Sequence, residues 1–229
     1  MEYPHNRPYT ADDLVRIITL LRDPVNGCPW DKVQTHTSIR MNFLEEAYEA
    51  VDALDLDDPV LMCEELGDVL MQVAFHTCME QETGRFTWEQ VCDGVCQKLI
   101  ERHPNIFGTQ PGYEGITDWD ALKNKEKGRR TLADDLESVP RAMPALMRAA
   151  KLQKRAARHG AALQGADAAA LADAAENLQT AQPASAQAEQ AVGELLFAAA
   201  NLARQAGVNP EQALQKANEA FCTAAGPVA

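Results

Sequence analysis

The chain has 229 residues, 46% hydrophobic, 24% charged and 6% aromatic, with a formal charge of −13. That length suits one large domain or two small ones with ample apolar material for a core, and no stretch approaches the roughly 18 uncharged apolar residues of a membrane helix. Residues 1–116 hold 21 acids and 8 bases while 117–229 hold 13 of each, so a basic nucleic-acid-binding face is disfavoured in the first half, where phosphates would be repelled unless a cation intervened.

Met1 to Thr10 is polar and proline-bearing, which reads as neither a signal nor a transit peptide and points to a cytoplasmic protein. Asp12 to Arg22 then carries Leu14, Ile17, Ile18 and Leu21 at i, i+3, i+4, i+7 spacing, with Thr10 or Asp12 available as a cap. The breaker cluster Asp23 to Pro29 ends this helix. A second helix is expected from about Ser38 to Leu54 through Leu44, Ala47, Val51 and Leu54. Asp57-Asp58-Pro59 resets the chain, proline suiting the first turn of a third helix that runs to Glu82 through Leu66, Val69, Leu70 and Val73. Thr87 begins a fourth with Val91, Val95 and Leu99, stopped by Pro104. No alternating strand pattern of useful length appears. The expectation is an all-α fold, an up-and-down helical bundle completed by a second copy in a homodimer.

Asn105 to Thr117 reads as a glycine- and proline-rich loop before the charged run Lys123 to Arg130, and a second helical region is expected from near Pro140. It resembles a diverged copy of the first. Gly67-Asp68-Val69-Leu70 is echoed by Gly193-Glu194-Leu195-Leu196, and Glu89-Gln90-Val91 by Glu211-Gln212-Ala213. The six cysteines form no C-x-x-C pair and most fall in helical segments, so buried thiols are expected rather than disulfides or a thiolate metal site.

The chemistry concentrates in two adjacent helices. Glu45, Glu46 and Glu49 form an E-E-x-x-E pattern; Glu65 and Asp68 form E-x-x-D. Residues three apart share a helix face, their Cβ atoms roughly 5–6 Å apart, so Glu46 with Glu49 and Glu65 with Asp68 are two carboxylate pairs. Antiparallel packing would make the four converge. Uncompensated, such a cluster is repulsive and its pKa values rise. A hard divalent cation relieves the conflict, and all-oxygen ligands suit Mg2+, with Mn2+ as a possible substitute. Solvated acidic faces are common and either pair alone would signify little. Two pairs on consecutive helices, beside Gly67 where a helix interior disfavours glycine, carry more weight. Di-iron bundles need Glu-x-x-His on helices, and here that spacing occurs only at Glu2 and His5, ahead of the first helix. A magnesium site of this kind suits phosphate or pyrophosphate chemistry.

These motifs, preceded by Gly27-Cys28-Pro29-Trp30-Asp31-Lys32 and followed by Lys98, Arg102 and His103-Pro104, closely resemble the MazG family of nucleoside triphosphate pyrophosphohydrolases. The E-E-x-x-E motif also occurs in dimeric dUTPases and phosphoribosyl-ATP pyrophosphohydrolases; the G-C-P-W-D-K string is what points to MazG. The resemblance implies hydrolysis of nucleoside triphosphates to monophosphates and pyrophosphate, with Mg2+ held by Glu46, Glu49, Glu65 and Asp68. Glu45, turned by one residue, is the candidate for orienting or deprotonating the attacking water. Lys98 and Arg102, four apart on one helix face, are read as phosphate contacts and catalytic cations, or else as a solvated or ion-paired surface. Trp30 and Lys32 are candidate substrate contacts: Trp30 either plugs the core or stacks on a base.

The implied organisation is a MazG-like catalytic domain at 1–116 and a degenerate MazG-like repeat at 117–229, structural or dimerising. In the second copy, E-E-x-x-E becomes Ala172-Asp173-Ala174-Ala175-Glu176, E-x-x-D becomes Ala191-Val192-Gly193-Glu194, and the Lys98 and Arg102 positions become Ala220 and Ala224. Two other readings stand beside the enzyme: an inactive nucleotide-binding regulatory or scaffold protein, and a narrow-specificity relative of the dUTPase kind.

Overall fold

A computed structural model describes residues 3–5, 7–108, 122, 124 and 126–226, and among these every regular element is helical. The chain divides into two compact units, Met1–Ile116 and Thr117–Ala229. Among the described residues, no helix is long and apolar enough to cross a membrane.

In the first unit, α1 (Ala11–Leu21) starts at a capping box: the Thr10 side chain accepts from the Asp13 amide, and the Asp13 carboxylate accepts from the Thr10 amide. The breaker segment leads to a short 3-10 turn at Asp31–Val33. Helix α2 (Arg40–Leu56) ends on Asp57 in the left-handed region, φ 53°. Helix α3 (Pro59–Glu82) begins at once, the Asp58 side chain accepting from the amides of Val60 and Leu61. This two-residue break forces α2 and α3 into an antiparallel pair, the most extensive packing in the unit. Thr87 and Gln90 form the capping box of α4 (Trp88–Arg102). Helix α5 (Pro104–Phe107) occupies the start of the expected loop, whose residues beyond Gly108 lie outside those described.

The core gathers Ile18 and Ile39 against Ala74, Phe75, Cys78 and Met79 of α3 and Trp88 of α4. It therefore sits on the carboxyl-terminal half of α3. Helix α3 also packs along α2, where small residues such as Ala50 and Ala53 are buried. Here the expected core stripes differ from the structure. Val51 and Leu54 of α2, Leu66 and Leu70 of α3, and Val95 and Leu99 of α4 all lie 40% to 52% exposed. A helix pair buries one strip of each partner, and in α2 that strip is lined with alanine, so the larger side chains face outward. The cysteines differ too: Cys78 alone is buried, Cys28 and Cys92 are half-buried, and Cys63, Cys96 and Cys222 are exposed.

The second unit contains α6 (Leu132–Glu137), α7 (Ala145–Arg158), α8 (Ala168–Thr180), α9 (Ala186–Gln205) and α10 (Pro210–Ala225). A helix ahead of Pro140 was not expected, and Leu132–Glu137 forms one because Thr131 and Asp134 make a further capping box. Helices α8 and α9 form the dominant pair, with α7 and α10 against α9. Buried Gln153 donates to the Phe197 carbonyl at 2.7 Å and buried Asn201 to the Ala166 carbonyl at 2.6 Å, which fixes α7 and the loop before α8 onto α9. Asp135, 1% exposed, anchors α6 to α7 through Arg155, Arg158 and His159.

Candidate functional site

The antiparallel α2–α3 pair brings the carboxylates of Glu46, Glu49 and Glu65 together, with one oxygen of each within 4.8 Å of the others. Asp68 lies outside that trio, but its charge acts on both Glu46 and Glu65. Burial pushes the Glu46 carboxyl above its ordinary value; a hydrogen bond from Gln72 opposes this, while Asp68 and Glu49 reinforce it. Glu65 is raised by partial burial and by the negative charges of Glu49, Asp68, Glu64 and Glu46. Neighbouring negative charge thus adds to burial in favouring the protonated carboxyls of Glu46 and Glu65. The donor set is all oxygen and the distances suit a common ion, so the residues fit a hard divalent cation.

Glu45 is not one of this trio. It lines a shallow cleft of about 390 Å3 with Met41, Leu44, Tyr48, Glu49 and Asp52, so Glu49 borders both features. Trp30 is 58% exposed, which rules out the core-plug reading; Trp88 fills the core instead. Lys32 is half-buried, its Nζ 3.5 Å from the Pro24 carbonyl. Lys98 is exposed and Arg102 half-buried on one face of α4. Gly67 faces open space, with nothing within 4 Å of where a Cβ would stand, so no helix of this unit uses it for a close approach.

Several residues near the site carry no motif and were missed in the sequence. Gln72 is 7% exposed and its Nε2 donates to Glu46 Oε1 at 3.3 Å. His36 and His76 face each other through their Nδ1 atoms at 2.8 Å, with rings 5.0 Å apart and 6° from parallel. His36 Nε2 reaches Glu80 Oε1 at 2.6 Å, and Arg85 holds the other Glu80 oxygen at 2.6 Å. Buried Arg22 pairs bidentately with Glu82 at 2.5 and 2.8 Å and donates to the carbonyls of Asp31 and Gln34. The available signal was the four-residue spacing of Asp68, Gln72, His76 and Glu80, which lines one face of a helix.

In the second unit, Asp173 and Glu194 line a cleft of about 640 Å3 with Gln164, Gly165, Ala170, Ala174, Gly193 and Phe197. Among the described residues, the single three-acid cluster tight enough for a metal is the one in the first unit.

The MazG nucleotide pyrophosphohydrolase domain matches residues 34–107, the span of α2, α3 and α4 with the loop before them. The nucleoside triphosphate pyrophosphohydrolase of Escherichia coli is 41% identical over 219 residues, covering 92% of this chain and 83% of that protein. The nucleoside triphosphate pyrophosphohydrolase/pyrophosphatase MazG of Thermotoga maritima is 38% identical over 212 residues, covering 92% of this chain and 82% of the relative. A nucleoside triphosphate pyrophosphohydrolase of Mycobacterium tuberculosis is 34% identical over 154 residues, covering 66% and 46%. Similarity that runs through both units and takes in the carboxylate helices identifies the chain as a member of the MazG family.

Proposed function

We propose that this chain is a nucleoside triphosphate pyrophosphohydrolase that cleaves its substrate into nucleoside monophosphate and pyrophosphate at the α2–α3 carboxylates. The observation that carries the reading is the convergence of Glu46, Glu49 and Glu65 within 4.8 Å, in a chain whose curated relatives are named for this activity. A charge cluster that raises its own pKa values is an unfavourable feature for a mere scaffold to keep.

Glu46, Glu49, Glu65 and Asp68 would hold a divalent cation, Mg2+ or in its place Mn2+. When bound, that ion would neutralise the triphosphate, stabilise charge on the departing pyrophosphate and lower the pKa of a coordinated water. The protein's own groups do the rest. Glu45, beside the cluster and facing the adjoining cleft, orients or deprotonates the attacking water. Lys98 and Arg102 on α4 meet the phosphates as cations in an otherwise strongly acidic half-chain. The exposed Trp30 face stacks on the base, a contact tolerant of base identity, and Lys32 adds a positive charge in the same loop.

In this reading 1–116 is the catalytic domain and 117–229 a degenerate repeat. From Ala145 on, the second unit runs through a helix, a dominant helix pair and a further helix, as the first does from Ala11 to Arg102. It has Ala172 where the first has Glu45 and Ala191 where the first has Glu65, and Ala220 and Ala224 in place of the two cations. Its role is structural. A homodimer covers the outward apolar faces of α2, α3 and α4, whose Val51, Leu54, Leu66, Leu70, Val95 and Leu99 are otherwise in water. The exposed thiols of Cys63, Cys96 and Cys222 suit the reducing cytoplasm.

The test is pyrophosphate release from a panel of canonical, deoxy and oxidised triphosphates, with magnesium and with chelator. Magnesium-dependent pyrophosphate supports the proposal. Orthophosphate release, or binding without turnover, refutes it.

A further inference from the structure

Helix α3 carries more than the acids. At 100° per residue, Glu65, Asp68, Gln72, His76 and Glu80 fall within a sector of about 120°, so the carboxylates and the histidine network lie along one face. His76 stands eight residues beyond Asp68, about 12 Å further along the axis, a span comparable with an extended nucleotide. At that point the loop bearing Trp30 and Lys32 is tied down. His36, at the end of that loop, is gripped at both ring nitrogens: Nδ1 by His76 at 2.8 Å and Nε2 by Glu80 at 2.6 Å. Glu80 is itself buried, 7% exposed, and fixed from behind by Arg85. The Phe43 ring of α2 tilts onto His76 at 5.8 Å and closes the other side. A second tie, Arg22 to the Asp31 and Gln34 carbonyls, anchors the same loop to Glu82, two residues beyond Glu80.

We propose that His76 and Glu80 are positioning residues: they grip His36 and so hold the loop of Trp30 and Lys32 in fixed register with the carboxylates on the same face of α3. This rests on the reading above that Trp30 and Lys32 contact the nucleotide. Two ring nitrogens 2.8 Å apart need one N–H and one bare lone pair between them, so the contact is directional and sets where the loop stops. Helix α3 thereby acts as the ruler between phosphate end and base end of the substrate. Neither histidine touches the reacting atoms. Their effect is on binding.

The experiment compares the full chain with His76→Leu, which keeps bulk and apolar packing, and His76→Asn, which returns a hydrogen-bonding group near the Nδ1 position. Hydrogen exchange over residues 27–39 is read by mass spectrometry, beside KM and kcat for pyrophosphate release. His76→Leu is expected to speed exchange in that segment several-fold and to raise KM roughly tenfold, the size of one lost charge-linked hydrogen bond. Its kcat stays within about twofold, and His76→Asn restores most of both effects. Unchanged exchange overturns the proposal, as does faster exchange at unchanged KM. If the parent chain releases no pyrophosphate, the functional reading falls by itself, and unchanged exchange would still overturn the holding of the loop. Should His76→Leu fail to fold, Glu80→Gln, which keeps shape but removes the charge, is read in the same way.

Discussion

Gln72 donates from Nε2 to Glu46 Oε1 at 3.3 Å, while its own Oε1 is buried with no partner among the described residues. A buried amide with one satisfied end sits there at a cost, and its position next to the trio makes it the arm that aims Glu46 inward. Gln72→Leu, matched in bulk, is expected to lower kcat/KM and divalent-ion affinity about tenfold while leaving the fold intact. Manganese titration and pyrophosphate release measure the two; a variant with unaltered ion affinity would refute the role.

Removing proposed ligands separates the two units. Glu49→Ala or Asp68→Ala should reduce turnover by at least about a hundredfold, whereas Glu194→Ala should stay within about twofold of the parent. The reverse pattern would move the activity to the second unit.

Glu46 and Glu65 have raised pKa values, so the folded, metal-free protein favours their protonated forms. Such groups contribute stability that is present below the unfolded carboxyl pKa and lost as pH rises through the folded one. At pH 7 the ionised cluster therefore strains the metal-free fold. Glu65→Gln should raise the melting temperature of chelated protein at pH 7, while removing both activity and the further rise that magnesium gives the parent. A lower melting temperature for Glu65→Gln in chelator would contradict this account.

Asp135 works in the opposite sense. Burial raises its pKa, but Arg158, Asn124, His159 and Arg155 outweigh burial and hold the carboxyl below its ordinary value. That stability is present above the unfolded carboxyl pKa of about 3.9 and is lost as pH falls through the lower folded value. Asp135→Ala would leave the Arg155 guanidinium, 8% exposed, without its carboxylate, and a broken buried pair costs about 3–5 kcal/mol. Chemical denaturation of the variant, with urea curves at pH 7 and pH 3.5, checks both magnitude and sign: the difference from the parent should shrink at the lower pH.

The helix punctuation was legible because it is local. Thr10, Pro59 and Thr87 mark starts through hydrogen bonds or ring geometry set within a turn of the chain. The carboxylate spacing was legible for the same reason, since three residues along a helix fix a shared face. The side of α2 that meets α3 was less so. A stripe of leucine and valine reads as core, yet Val51 and Leu54 face outward while Ala50 and Ala53 are buried, because helices approach most closely where side chains are small. Trp30 could not be sorted between core and surface from its identity alone.

The amino-acid order by itself determined the four main helices of the first half and that two acid pairs stand on consecutive helices, since both follow from contacts a few residues apart. What only the tertiary structure decided is which long-separated side chains meet: Gln72 with Glu46, His36 with His76 and Glu80, Arg22 with Glu82. Those pairs lie 26 to 60 residues apart in the chain, and their registry is set by how α1, α2 and the loop between them settle on α3, a choice made by packing.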